Sequence, residues 1–233
     1  MTRHWYLIDD DGCRRIDVTE NRWDFWSDFR ESGDRDDPWP AFTQLAVRVD
    51  LDELIEALQV VAEEYGAEAV DLTGTPEQWD ESVCLAQWEA LSLATEPARE
   101  LEDRFIGVEI AERIAAHLDA TGVYFGFDPS AGTLHVARYD NGEPDFTWAD
   151  SIEPGPSYAI TFHDDGTATQ EDPRTFALRA LDQPETSPFL DRYDFVEHVL
   201  ASVGLREVHP NFERLPIEAA FELRMTPEAG TAG

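Results

Sequence analysis

The stretch TQLAVRVDLDELIEALQVVAEEYGAEAVDL, residues 43–72, holds the clearest succession of secondary-structure signals in the chain. After a β-prone run, Asp50 stands as an N-cap with Glu53 three residues later, which is the pattern of a capping box. Gly66 suits the left-handed residue that follows a helix. Between them apolar side chains recur at helical spacing: Leu51, Leu54, Ile55, Leu58, Ala62 and Tyr65. A second β-prone run follows, so the stretch predicts a βαβ-type unit.

Residues 4–18, HWYLIDDDGCRRIDV, place a histidine and a cysteine beside three consecutive aspartates. The residues fit either a metal site or a turn. Asp-Gly between two β-prone runs is a strong hairpin signal, because both residues tolerate positive φ. Successive strand residues point to opposite faces and do not converge on an ion. We therefore predict an N-terminal hairpin and no metal site.

The middle of the chain predicts helices. In residues 73–94, TGTPEQWDESVCLAQWEALSLA, Thr75 suits an N-cap, Pro76 the first turn and Gln78 a capping box. Residues 107–122 give a second helix that ends at Gly122. These two segments predict a central helical layer.

From Val123 the apolar period changes to two. Four β-prone runs between residues 123 and 163, separated by Gly- and Pro-containing turns, predict an antiparallel meander. A late helix over 187–204 and a final strand over 217–225 follow. The fold class predicted is α+β: an N-terminal hairpin and βαβ-type unit, a central helical layer, and a C-terminal antiparallel β-meander packed against helices.

The chain length suits one domain or two. We expect a single domain over 1–225, with a subdivision near residue 122 as the alternative, which separates 1–121 from 122–225. Residues 226–233 have little to bury and are expected to form a mobile tail.

Charge is the most unusual property of the sequence. Fifty acids against 17 bases leave a formal net charge of −33, and lysine is absent. Repulsion on this scale is screened at molar salt, where the Debye length falls to about 3 Å. Two interpretations stay open: adaptation to a saline cytoplasm, or an acidic surface that binds a basic partner. Direct nucleic-acid binding is not expected, since no basic stripe is present.

Familiar catalytic motifs are missing from the sequence. It contains no phosphate-binding G-x-x-x-x-G-K-[ST] loop, no G-x-G-x-x-G, no H-E-x-x-H and no G-x-S-x-G. Without lysine there is no Schiff-base chemistry, and we expect no cofactor. Two cysteines cannot form a disulfide framework. The sequence has no signal peptide or membrane-length apolar run, so we expect a cytoplasmic protein without membrane contact.

Two sets of residues are candidate sites. His135 and His163, on strands that would pair, with Asp164 or Asp140 nearby, form the catalytic candidate for proton transfer; surface histidines among acids are the structural alternative. Aromatic residues among aspartates form the partner-binding candidate: Trp23, Trp26, Trp39, Asp34, Asp36 and Asp37. For these aromatics, core packing and a cationic-ligand site are the alternatives.

The leading hypothesis is a non-enzymatic cytosolic protein that binds or inhibits a basic protein partner, of the immunity-protein or polyanion-mimic type. The second hypothesis is an enzyme of a salt-adapted organism, in which acidity is solvent adaptation and a His/Asp site lies on the C-terminal sheet.

Overall fold

The computed structural model describes ten segments of the chain: 4–9, 12–17, 41–71, 82–88, 90–98, 105–128, 132–151, 157–185, 192–205 and 217–225. Within them the protein is α+β, as predicted, with four helices and a ten-stranded antiparallel sheet beside a two-stranded one. The smaller sheet pairs β1 (His4–Asp9) with β2 (Gly12–Asp17), and Asp9 lies opposite Gly12. This pairing is that of the predicted hairpin; its turn, residues 10–11, lies outside the described segments.

The large sheet contains the other strands. In chain order the elements are β3 (Ala41–Val47), α1 (Leu51–Glu64), β4 (Ala67–Asp71), β5 (Val83–Trp88), β6 (Leu91–Ala98), α2 (Val108–Leu118), β7 (Gly122–Asp128), β8 (Thr133–Asp140), β9 (Glu143–Asp150), β10 (Tyr158–Phe162), β11 (Ala168–Glu171), α3 (Pro173–Ala180), α4 (Arg192–Val203) and β12 (Ile217–Met225). Across the sheet the order is β11-β10-β9-β8-β7-β3-β6-β5-β12-β4.

The predicted helix after Asp50 is confirmed as α1. The backbone nitrogen of Asp50 donates to Glu53 Oε2 over 3.1 Å, which is half of the reciprocal bonding of a capping box. At the other end Gly66 has φ +72°, as a left-handed residue after the helix requires. Leu54 and Leu58, from the predicted apolar face, are fully buried.

Strands β3 and β4 flank α1 in the chain but not in the sheet. Every neighbouring pair from β3 to β4 is antiparallel, so these two strands run in the same direction. Three strands, β6, β5 and β12, lie between them. The chain therefore makes a wide crossover through α1 rather than a compact unit of adjacent strands.

The prediction of a helix over residues 75–94 is wrong for the described part, because residues 83–88 and 91–98 form β5 and β6. The central helical layer is corrected accordingly. Both strands lie inside the sheet, and residues 83–86 and 91–96 are all buried. A strand covered on both faces shows no polar alternation, and its alanine and leucine content favours a helix in isolation.

Helices cover the sheet on two sides. On one side, the α1–α2 face, Leu45 and Tyr124 of the sheet share a buried core with helical side chains such as Leu58 and Ile114. On the other side, the α3–α4 face, the fully buried Trp148 packs with Phe195 of α4. The helical layer is thus divided between both faces of the sheet.

The C-terminal half forms a meander, in which β7 to β11 lie in chain order across the sheet. Strand β7 also pairs with β3, so strands on both sides of residue 122 share one sheet. The single-domain assignment over 1–225 stays a prediction, and the predicted tail, 226–233, lies outside the described residues. Within the described segments, each helix is too short or too polar to cross a bilayer.

Candidate functional site

One row of side chains crosses six strands of the large sheet at directly opposed positions. The registers connect Glu96 to Thr43, Thr43 to Gly126, Gly126 to His135, His135 to Ala149, and Ala149 to Tyr158. Opposed residues of neighbouring strands lie on the same face of a sheet. We call these six residues the polar row, because four of them carry polar side chains and the other two, Gly126 and Ala149, are small.

The polar row lies on the α1–α2 face. Side chains two residues apart on a strand share a face, and Leu45 and Tyr124, two residues from Thr43 and Gly126, belong to the core beneath α1 and α2. Two further threonines of the same face, Thr133 and Thr147, are also buried. Polar groups are therefore concentrated where an apolar core would be cheaper to bury.

Glu96 closes one end of the row and is only 7% exposed. Its two carboxylate oxygens accept hydrogen bonds from the backbone nitrogens of Phe105 (2.9 Å) and Ile106 (2.7 Å). A carboxylate that accepts backbone hydrogen bonds is compensated for its burial. Glu96 thus anchors the segment that leads into α2.

His135 and Tyr158 form the more exposed end of the row. His135 Nε2 shares a hydrogen bond of 2.9 Å with the Tyr158 hydroxyl, and the two rings meet edge-on with centroids 5.9 Å apart. The small side chain of Ala149, opposite both residues, leaves space for this contact across β9. Burial raises the pKa of Tyr158, so its hydroxyl stays protonated at neutral pH.

Thr43 lies in the buried part of the row. Its side-chain oxygen is buried without a hydrogen-bond partner, and the residue is 1% exposed. The neighbouring Gly126 leaves room for the hydroxyl of Tyr124, because a Cβ there would lie 2.9 Å from that oxygen. Hydroxyl groups from two strands thus stand beside His135.

The four catalytic candidates of the sequence are not brought together. His135 and Asp140 are five residues apart on β8, which is about 16 Å along a strand. Asp140 accepts from the Thr121 hydroxyl over 3.0 Å. His163 and Asp164 lie in the exposed turn between β10 and β11.

His163 has a local partner, Thr169 Oγ1 at 2.8 Å. It follows Tyr158 by five residues, so it lies about 16 Å along the chain direction from the His135–Tyr158 pair. Strands β8 and β10 are also separated by β9. His135 therefore pairs with a tyrosine that the sequence analysis did not select.

Sequence reasoning missed Glu96, Thr43 and Tyr158. Glu96 stood in a segment predicted as helix, and the other two depend on strand registers that no local pattern reveals. The available signal was the interruption of apolar strands by single polar residues. The partner-binding candidates, Trp23, Trp26, Trp39, Asp34, Asp36 and Asp37, lie outside the described residues and stay a prediction.

A second feature is the acidic outer surface of α1. We define the α1 acidic face by the exposed residues Asp52, Glu53, Glu56, Glu63 and Glu64. No basic residue stands between Arg48 and Arg99 in the sequence. Ion pairs between described residues involve other acids, so the charge of this face is not neutralised there by pairing.

Among the described residues, no three His, Cys, Asp or Glu side chains come together as a metal site. Comparison with protein-family models, with curated protein sequences and with solved structures gave no match. Function is therefore argued from the polar row and the α1 acidic face alone.

Proposed function

We propose that this protein is a cytoplasmic interaction protein that binds, and thereby inhibits, a basic protein partner, in the manner of an immunity protein or a polyanion mimic. The observation that carries the proposal is the α1 acidic face, in which every exposed charged residue of a 14-residue helix is an acid. Such a surface attracts a cationic partner over distance and repels other acidic proteins.

The rigidity of α1 supports this use. Its inner side chains, including Leu54 and Leu58, are fully buried against the sheet, and Tyr65 after its end donates to Glu109 of α2 over 2.7 Å. The carboxylates are therefore presented on a fixed support. A preorganised surface loses less conformational entropy when a partner binds.

The experiment neutralises four acids of this face without removing the Glu53 cap. The variant combines Asp52→Asn, Glu56→Gln, Glu63→Gln and Glu64→Gln. Its binding to a fluorescent deca-arginine peptide is measured by anisotropy at several salt concentrations. Four exposed ion pairs at about 0.5 kcal/mol each predict a loss of affinity of roughly thirtyfold at low salt.

A matched control changes net charge equally at other exposed acids: Glu143→Gln, Asp164→Asn, Asp182→Asn and Glu185→Gln. We expect the control to lose much less affinity than the α1 variant. Equal losses in both variants would mean that binding follows net charge alone, and the proposal would then be abandoned.

An enzyme of a salt-adapted organism is the second candidate function. The hydrogen bond between His135 and Tyr158 favours it, since a neutral imidazole and a phenol can exchange a proton. The site would then use Tyr158 in place of the predicted His163 and aspartates. Its test is the reaction of His135→Gln protein against wild type in a screen of hydrolase substrates, where activity unchanged by the substitution would remove His135 from the chemistry.

A further inference from the structure

The unpaired hydroxyl of Thr43 is unusual inside a well-packed sheet. More than nine in ten buried polar groups have a hydrogen-bond partner, because an unmade bond costs free energy. Valine has nearly the same shape and would fill this position without that cost. Thr43 is nonetheless 1% exposed and its oxygen has no partner, which points to a group that completes the hydrogen bond from outside the protein.

The surroundings of Thr43 extend toward solvent. Across Gly126 lies the half-buried His135, and beyond Ala149 lies the half-buried Tyr158. The Tyr124 hydroxyl stands over Gly126 between Thr43 and His135. The row thus runs from a buried, unsatisfied hydroxyl to a more exposed imidazole–phenol pair.

We propose that the polar row is the floor of a binding site for a small uncharged molecule rich in hydroxyl groups, that is, a sugar or a polyol. Its hydroxyl would bond to Thr43 Oγ1, and others would bond to the groups around His135 and Tyr158. This inference rests on neither proposed function, because binding requires neither a protein partner nor turnover.

The chemistry of the row selects this class of ligand. Threonine and tyrosine hydroxyls both donate and accept hydrogen bonds, and a neutral imidazole does the same. Ligand hydroxyls match such groups, whereas carboxylates and phosphates only accept and ammonium groups only donate. A net charge of −33 further disfavours anions. The carboxylate of Glu96, which would attract a cation, already accepts two backbone hydrogen bonds.

The decisive variant is Thr43→Val, which removes the hydroxyl and keeps the shape. Because the lost group is unpaired, the free protein should become more stable, with a melting temperature higher by about 2–4 °C. Binding should weaken by about five- to tenfold, the cost of one neutral hydrogen bond.

Thr95→Val is the matched control on the opposite face. Thr95 is as buried as Thr43, but its hydroxyl accepts from Gln44 Nε2 over 2.9 Å. Its replacement leaves the Gln44 amide unpaired, so the melting temperature should fall while ligand binding is retained. A second binding variant, Tyr158→Phe, changes only a half-buried hydroxyl and should weaken binding to a similar degree.

The measurement is an NMR titration that follows the ring resonances of His135, assigned by comparison with His135→Gln protein. The probes are D-glucose, myo-inositol and glycerol, with inorganic phosphate and tetramethylammonium as charged alternatives. We expect saturable shifts with at least one of the three neutral probes, and weaker binding in Thr43→Val and Tyr158→Phe proteins.

Three results would overturn the proposal: no shift with any neutral probe, a response to phosphate or tetramethylammonium instead, or unchanged binding in Thr43→Val protein. A lower melting temperature for Thr43→Val would also count against it, because the hydroxyl would then have a structural partner. Since these readouts do not involve deca-arginine, they are independent of the test of the α1 acidic face.

Discussion

The indole nitrogen of Trp148 donates a hydrogen bond to the carbonyl oxygen of Pro173 over 2.9 Å. This bond joins the centre of β9 to the first turn of α3, and it lies beside the ring of Phe195, whose centroid is 4.8 Å from that of Trp148. A single side chain thus connects the sheet to both helices of the α3–α4 face.

Trp148→Phe should therefore destabilise the fold. The substitution removes the hydrogen bond to Pro173 and leaves a cavity around a fully buried position. We expect a loss of about 2–4 kcal/mol in the free energy of unfolding, measured by urea denaturation at high salt. A change below about 0.5 kcal/mol would show that the α3–α4 face does not depend on this contact.

Gly122→Ala should disrupt the pairing of β7 with β3. A Cβ at Gly122 would lie 2.7 Å from both the carbonyl oxygen of Ala46 and a side-chain carbon of Val47. The backbone oxygen cannot move without breaking the strand register, so we expect a loss of about 1–3 kcal/mol. Gly107→Ala, where a Cβ meets nothing within 4 Å, is the control; an equal loss there would contradict the steric explanation.

The thiol of Cys84 should be unreactive in the folded protein. Burial is the main cause that raises its pKa from 9.0 to about 12, and only the thiolate is a nucleophile. In a Cys13→Ser background, reaction with a disulfide reagent at pH 8 should be slow and should accelerate as urea unfolds the chain. Rapid labelling without urea would show that the thiol is accessible.

The same pKa gives stability a pH dependence with a definite sign. A group whose pKa is raised by folding binds its proton more tightly in the folded state. The contribution of Cys84 is therefore complete below about pH 9 and is lost as pH rises from there toward 12. Unfolding measured between pH 8 and 10 should show a smaller alkaline loss for Cys84→Ala than for wild type; parallel curves would assign the loss to other groups.

Potassium chloride should raise the melting temperature. The net charge of −33 produces self-repulsion that a Debye length of about 3 Å at molar salt largely screens. We expect the melting temperature, followed by circular dichroism, to rise from low salt into the molar range. A flat or falling curve would remove solvent adaptation as the reason for the acidity and leave the binding surface as the better explanation.

Local sequence signals predicted the elements whose determinants are themselves local. The cap at Asp50 and the glycine at position 66 define α1 without reference to the rest of the chain. The period-two runs after Val123 likewise predicted strands that pair with their chain neighbours. Each of these elements depends on residues close together in sequence.

Elements that depend on distant partners were not predictable in the same way. Residues 83–88 and 91–98 are strands because other strands and helices bury them on both sides, and nothing in their own composition shows it. The His135–Tyr158 hydrogen bond needs two successive registers across β9. The candidate site therefore became visible only when the order of strands was known.

The position of β12 has a consequence for the birth of the molecule. Residues 217–225 lie between β5 and β4, which are made well over a hundred residues earlier. During synthesis, which runs at about 5–20 residues per second, β4 must wait for this strand before it can join the sheet. Until the ribosome has released that last strand, the nascent chain carries an open seam, and a chaperone that shields it would have its longest task there.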